Sequence, residues 1–336
     1  MGYDSAVNAL PILQDGYGRP INYLRVSVTD RCNFKCFYCR PELDYTPFER
    51  PEILTFEEIE RLTGLFVRLG LKKLRFTGGE PLVRRDLPML AARIHAAHPQ
   101  VKLCLTTNGV FLPEHAAALK AAGISGLNVS IDTLLEERLQ SISGAAGIEK
   151  IFAGIQAAKA AGFQNFKLNM VLVRGVNDDE IAPMVAYAQR EMLELRFVEF
   201  MPMGGIDWEF KQVVSEAEIL AALEKIAPVM RDSSDPSDPA RRFKLAGHAM
   251  PVGIIASVTD AFCDSCTRAR VTSDGRLMPC LFDNMSTDLK HPLRAGASDD
   301  ELIALMRAGV FNKPKGAADL LSNRPRLTLP MIQVGG

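Results

Sequence analysis

The chain has 336 residues, enough for about two domains or for one large barrel with an extension. Apolar residues make up 47% and charged residues 24%, the balance of a packed globular protein, which excludes disorder as the main state. Lys plus Arg number 39 against 40 Asp plus Glu, a net charge of −1 that argues against a duplex-wrapping nucleic-acid binder and a polybasic membrane binder alike. No apolar run approaches the ~20 residues of a membrane-spanning helix. The first twenty residues show neither a signal nor a transit pattern, so a cytoplasmic protein without a membrane or nucleic-acid partner is expected.

In chain order, strands are predicted over 24–28, 73–76, 102–106, 126–131, 166–173 and 194–200, each ending in a polar or glycine turn. Helical patterns lie between them. Thr55 and Glu58 form a capping box ahead of 57–69, and Gly70 is placed to end that helix. Further helices are predicted over 86–98, 113–123, 148–161, 178–190 and 216–226, the last capped by Ser215 and Glu218. Residues 232–242 (DSSDPSDPARR) read as a surface linker, followed by a strand over 252–258, a turn at Ser273-Asp274-Gly275 and a helix over 299–308. Alternating strands and helices imply a parallel sheet. Six units are too few for a closed eight-fold barrel, so the expected fold is α/β, a partial (β/α)6 TIM-type barrel open on one side, with a doubly wound sheet as the competitor.

Period two gives the strands a second message. Arg25, Ser27, Arg75, Thr77, Asn128, Ser130, Lys167 and Asn169 share one face; Val26, Val28, Leu74, Phe76, Val129, Ile131, Phe166 and Leu168 share the other. An ordinary barrel fills its inside with aliphatic side chains. Here the polar set points inward, and unpaired buried charge is costly, so the interior should hold water and an anionic ligand.

Seven cysteines stand at 32, 36, 39, 104, 263, 266 and 280. Cys104 lies in an apolar run and reads as a core residue. The others form two groups, which in a reduced compartment suit a metal better than disulfides. Cys32-x3-Cys36-x2-Cys39 follows the first strand. Three thiolates can hold three irons of a four-iron cubane and leave the fourth open, whereas zinc needs four ligands and no His lies within fifty residues. Cys263-x2-Cys266-x13-Cys280 is again a set of three; a zinc knuckle completed by His248 or His291 remains an alternative.

The first group, with Tyr38 before its last cysteine, resembles the radical S-adenosylmethionine enzymes. Thr77-Gly78-Gly79-Glu80-Pro81 at the end of the second strand resembles their GGEP segment, whose glycines suit close backbone approach. Cys266-Thr267-Arg268-Ala269-Arg270, the turn before Cys280, and Gly18-Arg19-Pro20, Thr106-Thr107-Asn108-Gly109, Asn128-Val129-Ser130-Ile131-Asp132, Arg196-Phe197-x-Glu199-Phe200-Met201 and the terminal Gly335-Gly336 resemble the GTP 3′,8-cyclases, the molybdenum-cofactor biosynthesis protein A family. One departure is Ser141-Ile142-Ser143-Gly144, where relatives usually carry an Arg; it is expected in a loop that touches no site.

The resemblance implies two four-iron clusters, on Cys32, Cys36 and Cys39 and on Cys263, Cys266 and Cys280. It implies S-adenosylmethionine contacts at Tyr38, Gly79, Ser130 and Met201, and GTP contacts at Arg25, Arg75, Thr106, Lys167, Arg268, Ala269 and Arg270. No P-loop is present, so side chains must meet the triphosphate, and Arg forks suit it. Lys73 and Arg196 are further lining candidates; Lys72, Arg84 and Arg85 are expected in solvent. The implied reaction removes the 3′ hydrogen of GTP with a 5′-deoxyadenosyl radical, joins C3′ to C8 and reduces the purine radical, giving (8S)-3′,8-cyclo-7,8-dihydro-GTP for molybdopterin. Implied partners are a flavodoxin- or ferredoxin-like electron donor and a downstream cyclic pyranopterin monophosphate synthase, with a homodimer as the assembly. Residues 1–230 would form the barrel and 231–336 the region of the second cluster. The alternatives are a peptide-modifying radical enzyme with an auxiliary cluster and a non-enzymatic metal module.

Overall fold

The computed structural model describes residues 11–40, 45–164, 166–233, 237–316 and 327–335. Six parallel strands, β1 (Tyr23–Ser27), β2 (Lys73–Thr77), β3 (Lys102–Thr107), β4 (Ile124–Ser130), β5 (Lys167–Leu172) and β6 (Glu194–Glu199), pair in sequence order, within about two residues of the expected limits. Helices α1 (Phe56–Arg68), α2 (Leu87–Ala97), α3 (Leu112–Ala121), α4 (Glu136–Ser143), α5 (Ile148–Ala160), α6 (Ile181–Arg190) and α7 (Glu216–Glu224) connect them. The Thr55–Glu58 and Ser215–Glu218 capping boxes both form, satisfying N–H groups that have no intrahelical partner. Gly70, at φ +93°, takes the left-handed turn after α1.

A doubly wound sheet reverses its strand order at a switch point. Here β1 to β6 run in one direction without reversal, which excludes it. The sheet continues past both ends, in the order β12-β11-β10-β1-β2-β3-β4-β5-β6-β9-β8-β7, where β7 is Val229–Arg231, β8 Arg241–Leu245, β9 Val252–Ile255, β10 Arg268–Val271, β11 Arg276–Met278 and β12 Thr287–Asp288. Its two edges do not pair, so the barrel is partial and open. The C-terminal α8 (Lys290–Arg294) and α9 (Asp299–Phe311) follow β12, and a short helix spans Met331–Val334.

The supposed linker at 232–242 is corrected at its described end: Arg241 and Arg242 begin β8, which pairs antiparallel with β7, Val229 opposite Leu245 and Arg231 opposite Phe243. Asp238, ahead of β8, accepts both terminal nitrogens of Arg196, at 3.1 and 2.9 Å. The pairing of β8 depends on β9, a partner no local pattern reveals. The predicted strand over 252–258 ends three residues early, and α4 was not expected.

Leu24, Val26, Leu74, Phe76, Leu103, Leu105, Val129, Leu168 and Phe197 are all buried on the outward face beneath the helices. Each fully buried side chain of this size contributes roughly 1.5–3 kcal/mol. The main core thus lies between sheet and helices, and a second, smaller apolar cluster of Met203, Met278, Met331 and Val334 packs against Cys39 and Met201 beside the first cysteine group. Among the described residues, no helix is long and apolar enough to cross a membrane.

Candidate active site

Two hollows, each carrying one cysteine group, open on the inner face. The first is lined by Cys32, Cys36 and Cys39 together with Tyr38, Gly79, Ser130 and Met201, so every expected S-adenosylmethionine contact meets the first cysteines there. The loop after β1 is pinned from several sides. Gly79 N–H donates to Thr29 O at 2.7 Å and Glu80 N–H to Arg31 O at 2.8 Å. Asp30 accepts from Phe48 N–H at 2.7 Å and from the Tyr45 hydroxyl. Asn108 Nδ2 donates to Asn33 Oδ1 at 2.8 Å.

The glycines of the GGEP segment also meet a packing demand. A Cβ on Gly78 would stand 2.4 Å from Thr29 O, and one on Gly79 2.4 Å from Arg31 O. They admit the backbone of the cysteine loop, where no side chain would fit. The segment Ser141–Gly144 is also corrected: residues up to Ser143 belong to α4, Ser143 lines the hollow, and its carbonyl accepts from Lys35 N–H at 2.7 Å. Sequence reasoning missed this brace because the residues in between give no sign of the contact.

The second hollow is lined by Cys263, Cys266 and Cys280 with Arg25, Arg268, Ala269, Arg270, Phe262 and Phe282. Neither histidine of the zinc alternative is there. His248 is half-buried and meets Ala246 O, and His291 pairs with Asp288 in a separate surface cleft. Among the described residues, no three His, Cys, Asp or Glu close tightly enough around a point to enclose a single ion. The three thiols line one hollow, the donor set of a cluster whose irons each take one thiolate.

Burial pushes the Cys32 thiol up to about 11 and raises Cys36 and Cys39 as well. Such thiols ionise only for a strongly cationic occupant, which a cluster's irons provide. Burial also lifts Cys280 to about 11, whereas at Cys266 burial is overcome by Arg268 and Lys313, which bring the thiol down to about 6.

Arg25 lines both hollows, so they abut. It stands in register with Arg75 on β2 and Arg270 on β10, a row of guanidinium groups across the inner face. Burial lowers the pKa of Arg25 and Arg270, and neighbouring guanidinium groups (Arg75 and Arg268 for the first, Arg25 and Arg268 for the second) lower it further. Burial would raise the Tyr23 phenol, but Arg75, Arg25 and Lys73 bring it down to about 7. Crowded cations away from water are costly without an anion, so this interior fits a polyphosphate. Ala269 pairs with Leu24, a residue of the outward face, so its backbone is what borders the hollow.

Not every candidate is at a hollow wall. Thr106 lines the first, but Arg75 and Lys167 line neither; Arg75 is buried and Lys167 half-buried. Arg75 donates to the Tyr23 hydroxyl oxygen and to Leu105 O, both at 2.7 Å. Lys73 stacks on the Tyr23 ring at 4.3 Å, and Arg196 is held by Glu194 and Asp238. Lys72 and Arg85 are exposed as expected. Arg84 is not: it donates to Val28 O and Leu54 O, at 2.6 and 2.8 Å, and stacks on Phe56. Asn169 was read as inward-facing but not as a site residue. It lines the first hollow, and its Oδ1 is buried without a hydrogen-bond partner among the described residues. The C-terminal segment enters the barrel: Arg270 donates to Gly335 O, Met331 lines the first hollow, and a Cβ on Gly335 would stand 2.7 Å from Thr77 Oγ1. Gly336 lies outside the described residues.

Comparison with known proteins agrees with this geometry. Residues 26–188 match the Radical SAM superfamily and residues 193–318 match Molybdenum Cofactor Synthesis C. The chain is 41% identical over 328 residues to the GTP 3′,8-cyclase of Pelotomaculum thermopropionicum, covering 96% of this chain and 100% of that protein. It is 38% identical over 324 residues to mouse molybdenum cofactor biosynthesis protein 1, covering 96% of this chain but 51% of that one, so it spans about half of the mouse protein's length. Among solved structures, Streptococcus suis SuiB superposes with a TM-score of 0.63 over 94% of this chain and 78% of that one; at 13% identity it attests the fold alone. With both halves matched in order, and a bacterial relative matched from end to end, the chain belongs to the GTP 3′,8-cyclase family of the radical S-adenosylmethionine superfamily.

Proposed function

We propose that the chain converts GTP to (8S)-3′,8-cyclo-7,8-dihydro-GTP with S-adenosylmethionine and a reductant, the first step towards molybdopterin. The observation that carries this reading is Arg25, which borders both three-cysteine hollows, so that a molecule bound in one lies beside a molecule bound in the other. The relatives that bear this activity in their name are similar over nearly the whole chain.

In this reading Cys32, Cys36 and Cys39 hold one four-iron cluster and Cys263, Cys266 and Cys280 the other, each with one iron left for a ligand. Tyr38, Gly79, Ser130 and Met201 hold S-adenosylmethionine; Arg25, Arg75, Thr106, Lys167 and the segment Arg268-Ala269-Arg270 hold GTP. When bound, the clusters and S-adenosylmethionine supply single electrons and the hydrogen-abstracting radical. The chain's own work is position, charge and exclusion of water. Arg25, Arg268 and Arg270 present guanidinium forks to the nucleotide, and the helix-covered sheet walls keep solvent from the reacting carbon. Arg75, buried, and Lys167, half-buried, add positive charge that favours the triphosphate. Residues 1–230 form the barrel in this account and 231–336 the second-cluster region. A flavodoxin- or ferredoxin-like donor, a downstream cyclic pyranopterin monophosphate synthase, a homodimer and a cytoplasmic setting complete the proposal.

The test is anaerobic turnover of GTP deuterated at C3′ with S-adenosylmethionine and dithionite. The expected result is 5′-deoxyadenosine that carries the deuterium, with a nucleotide product that has lost it. Unlabelled 5′-deoxyadenosine, or GTP recovered unchanged, would overturn the reading.

A further inference from the structure

The residues after α9 read Lys313-Pro314-Lys315-Gly316 and wrap the second cysteine group. Lys313 is only 3% exposed. Its Nζ donates to Arg268 O at 2.6 Å, to Cys266 Sγ at 3.2 Å and to Cys266 O at 3.4 Å. A Cβ on Gly316 would lie 3.4 Å from Cys263 Cβ, so the strap passes directly over that ligand. Arg19 ties it down: Nη1 donates to Cys263 O and Lys315 O, both at 2.7 Å, Nη2 to Pro314 O at 2.6 Å, and Nε to Asp15 Oδ2 at 2.6 Å. The two cysteine groups therefore differ. Cys266 Sγ receives a lysine ammonium and, at 3.4 Å, Arg268 Nη2. In the first group Cys32 Sγ receives the backbone N–H of Phe34 at 3.3 Å, and among the described residues no Lys or Arg side chain donates to its three sulfurs.

The potential of an iron–sulfur cluster depends on its charge surroundings and on hydrogen bonds to its sulfurs. A buried ammonium 3.2 Å from a ligand sulfur draws electron density from that sulfur and favours the more negative, reduced state. We propose that Lys313 is a positioning residue that acts through Cys266, holding a fixed positive charge on the second cluster so that this cluster accepts an electron more readily than it would beside a neutral group. Arg19 is the clamp that keeps the ammonium there. The inference rests on the reading that Cys263, Cys266 and Cys280 hold a four-iron cluster. It adds an asymmetry to that reading: the two clusters carry the same number of protein thiolates, but only the second has cationic donors on a ligand sulfur among the described residues, Lys313 beside Arg268. One electron from an external reductant enters, and no bond within the protein breaks.

The test uses the full-length holoenzyme, reconstituted anaerobically, as wild type, Lys313→Met, Lys313→Gln and Lys313→Arg. Iron, sulfide and zinc are counted first. Electron paramagnetic resonance is then followed during titration with dithionite in the presence of S-adenosylmethionine, which perturbs the first cluster's signal and so separates it from the second. At the potential where half of the wild-type second cluster is reduced, the reduced-to-oxidised ratio should fall about tenfold in the Met and Gln variants, a shift of about 59 mV for a one-electron couple. The Arg variant should keep the wild-type ratio within about threefold, and the first cluster should not move. Neutral variants that keep both clusters and the wild-type ratio would overturn the inference. So would loss of the second cluster from either neutral variant, since the lysine would then be a structural prop. Zinc or a single cluster in the wild type would instead overturn the reading beneath it.

Discussion

Replacing Gly79 by alanine drives a methyl group into the loop that carries the first cysteines. The new carbon would stand 2.4 Å from Arg31 O, 2.7 Å from Arg31 C and 3.1 Å from Asp30 O. All three are backbone atoms of residues one or two positions before Cys32, so no side-chain rotation relieves the clash. Two hydrogen bonds cross this seam, Gly79 N–H to Thr29 O at 2.7 Å and Glu80 N–H to Arg31 O at 2.8 Å. Each contributes about 1 kcal/mol net, and a buried partner left unpaired costs up to ~3 kcal/mol. Separating the seam therefore costs about 2–4 kcal/mol. Because Gly79 and Cys32 line the same hollow, this cost falls on the binding-competent arrangement. At 1.4 kcal/mol per tenfold, S-adenosylmethionine affinity should weaken by roughly thirty-fold to several hundred-fold. Isothermal titration of the anaerobically reconstituted protein measures it, with urea unfolding to register any share carried by global stability. An alanine variant with wild-type affinity and wild-type stability would refute the packing argument.

Other substitutions separate local from general effects. Gly64→Ala in α1 places a Cβ 3.6 Å from His98 Nε2, an ordinary contact, so urea unfolding should show equal or greater stability, by up to ~1 kcal/mol; a loss above that size would contradict it. Arg25→Met should weaken GTP binding roughly ten- to hundredfold, the worth of one charge-assisted hydrogen bond. Unchanged affinity in equilibrium dialysis would remove Arg25 from the nucleotide site. Arg19→Met leaves the Asp15 carboxylate buried without its partner and should cost about 3–5 kcal/mol on urea unfolding, against which a loss below ~1 kcal/mol would count. Cys263→Ala should retain the first cluster and still release 5′-deoxyadenosine while forming no cyclised nucleotide, whereas undiminished cyclised product would refute the role of the second group.

The six barrel strands were legible because each has apolar alternation bounded by turns, and the helices because Thr55, Ser215 and several glycines mark their ends. The inward polar face could be read from period two alone, since Arg25, Arg75 and Arg270 do line up across neighbouring strands. The cysteine groups were legible from spacing, which is local. What escaped was non-local. The 229–245 hairpin is fixed by its pairing with β9, and α4 lacks a side-chain cap to announce it. Arg75 and Lys167 face inward as read, but whether a residue reaches a hollow wall is set by register, which no single strand encodes. Lys313 meets Cys266 across 47 residues, so nothing near either position betrays the contact.

The central claim is that two clusters, each with one iron free of protein ligands, receive two different small molecules across a shared cationic interior. Mössbauer spectroscopy of isotopically enriched, anaerobically reconstituted protein tests it most directly. The account predicts about eight irons per chain, one subsite of the first cluster altered by S-adenosylmethionine and one subsite of the second altered by GTP. A second centre whose spectrum ignores GTP, or one occupied by zinc, would contradict it.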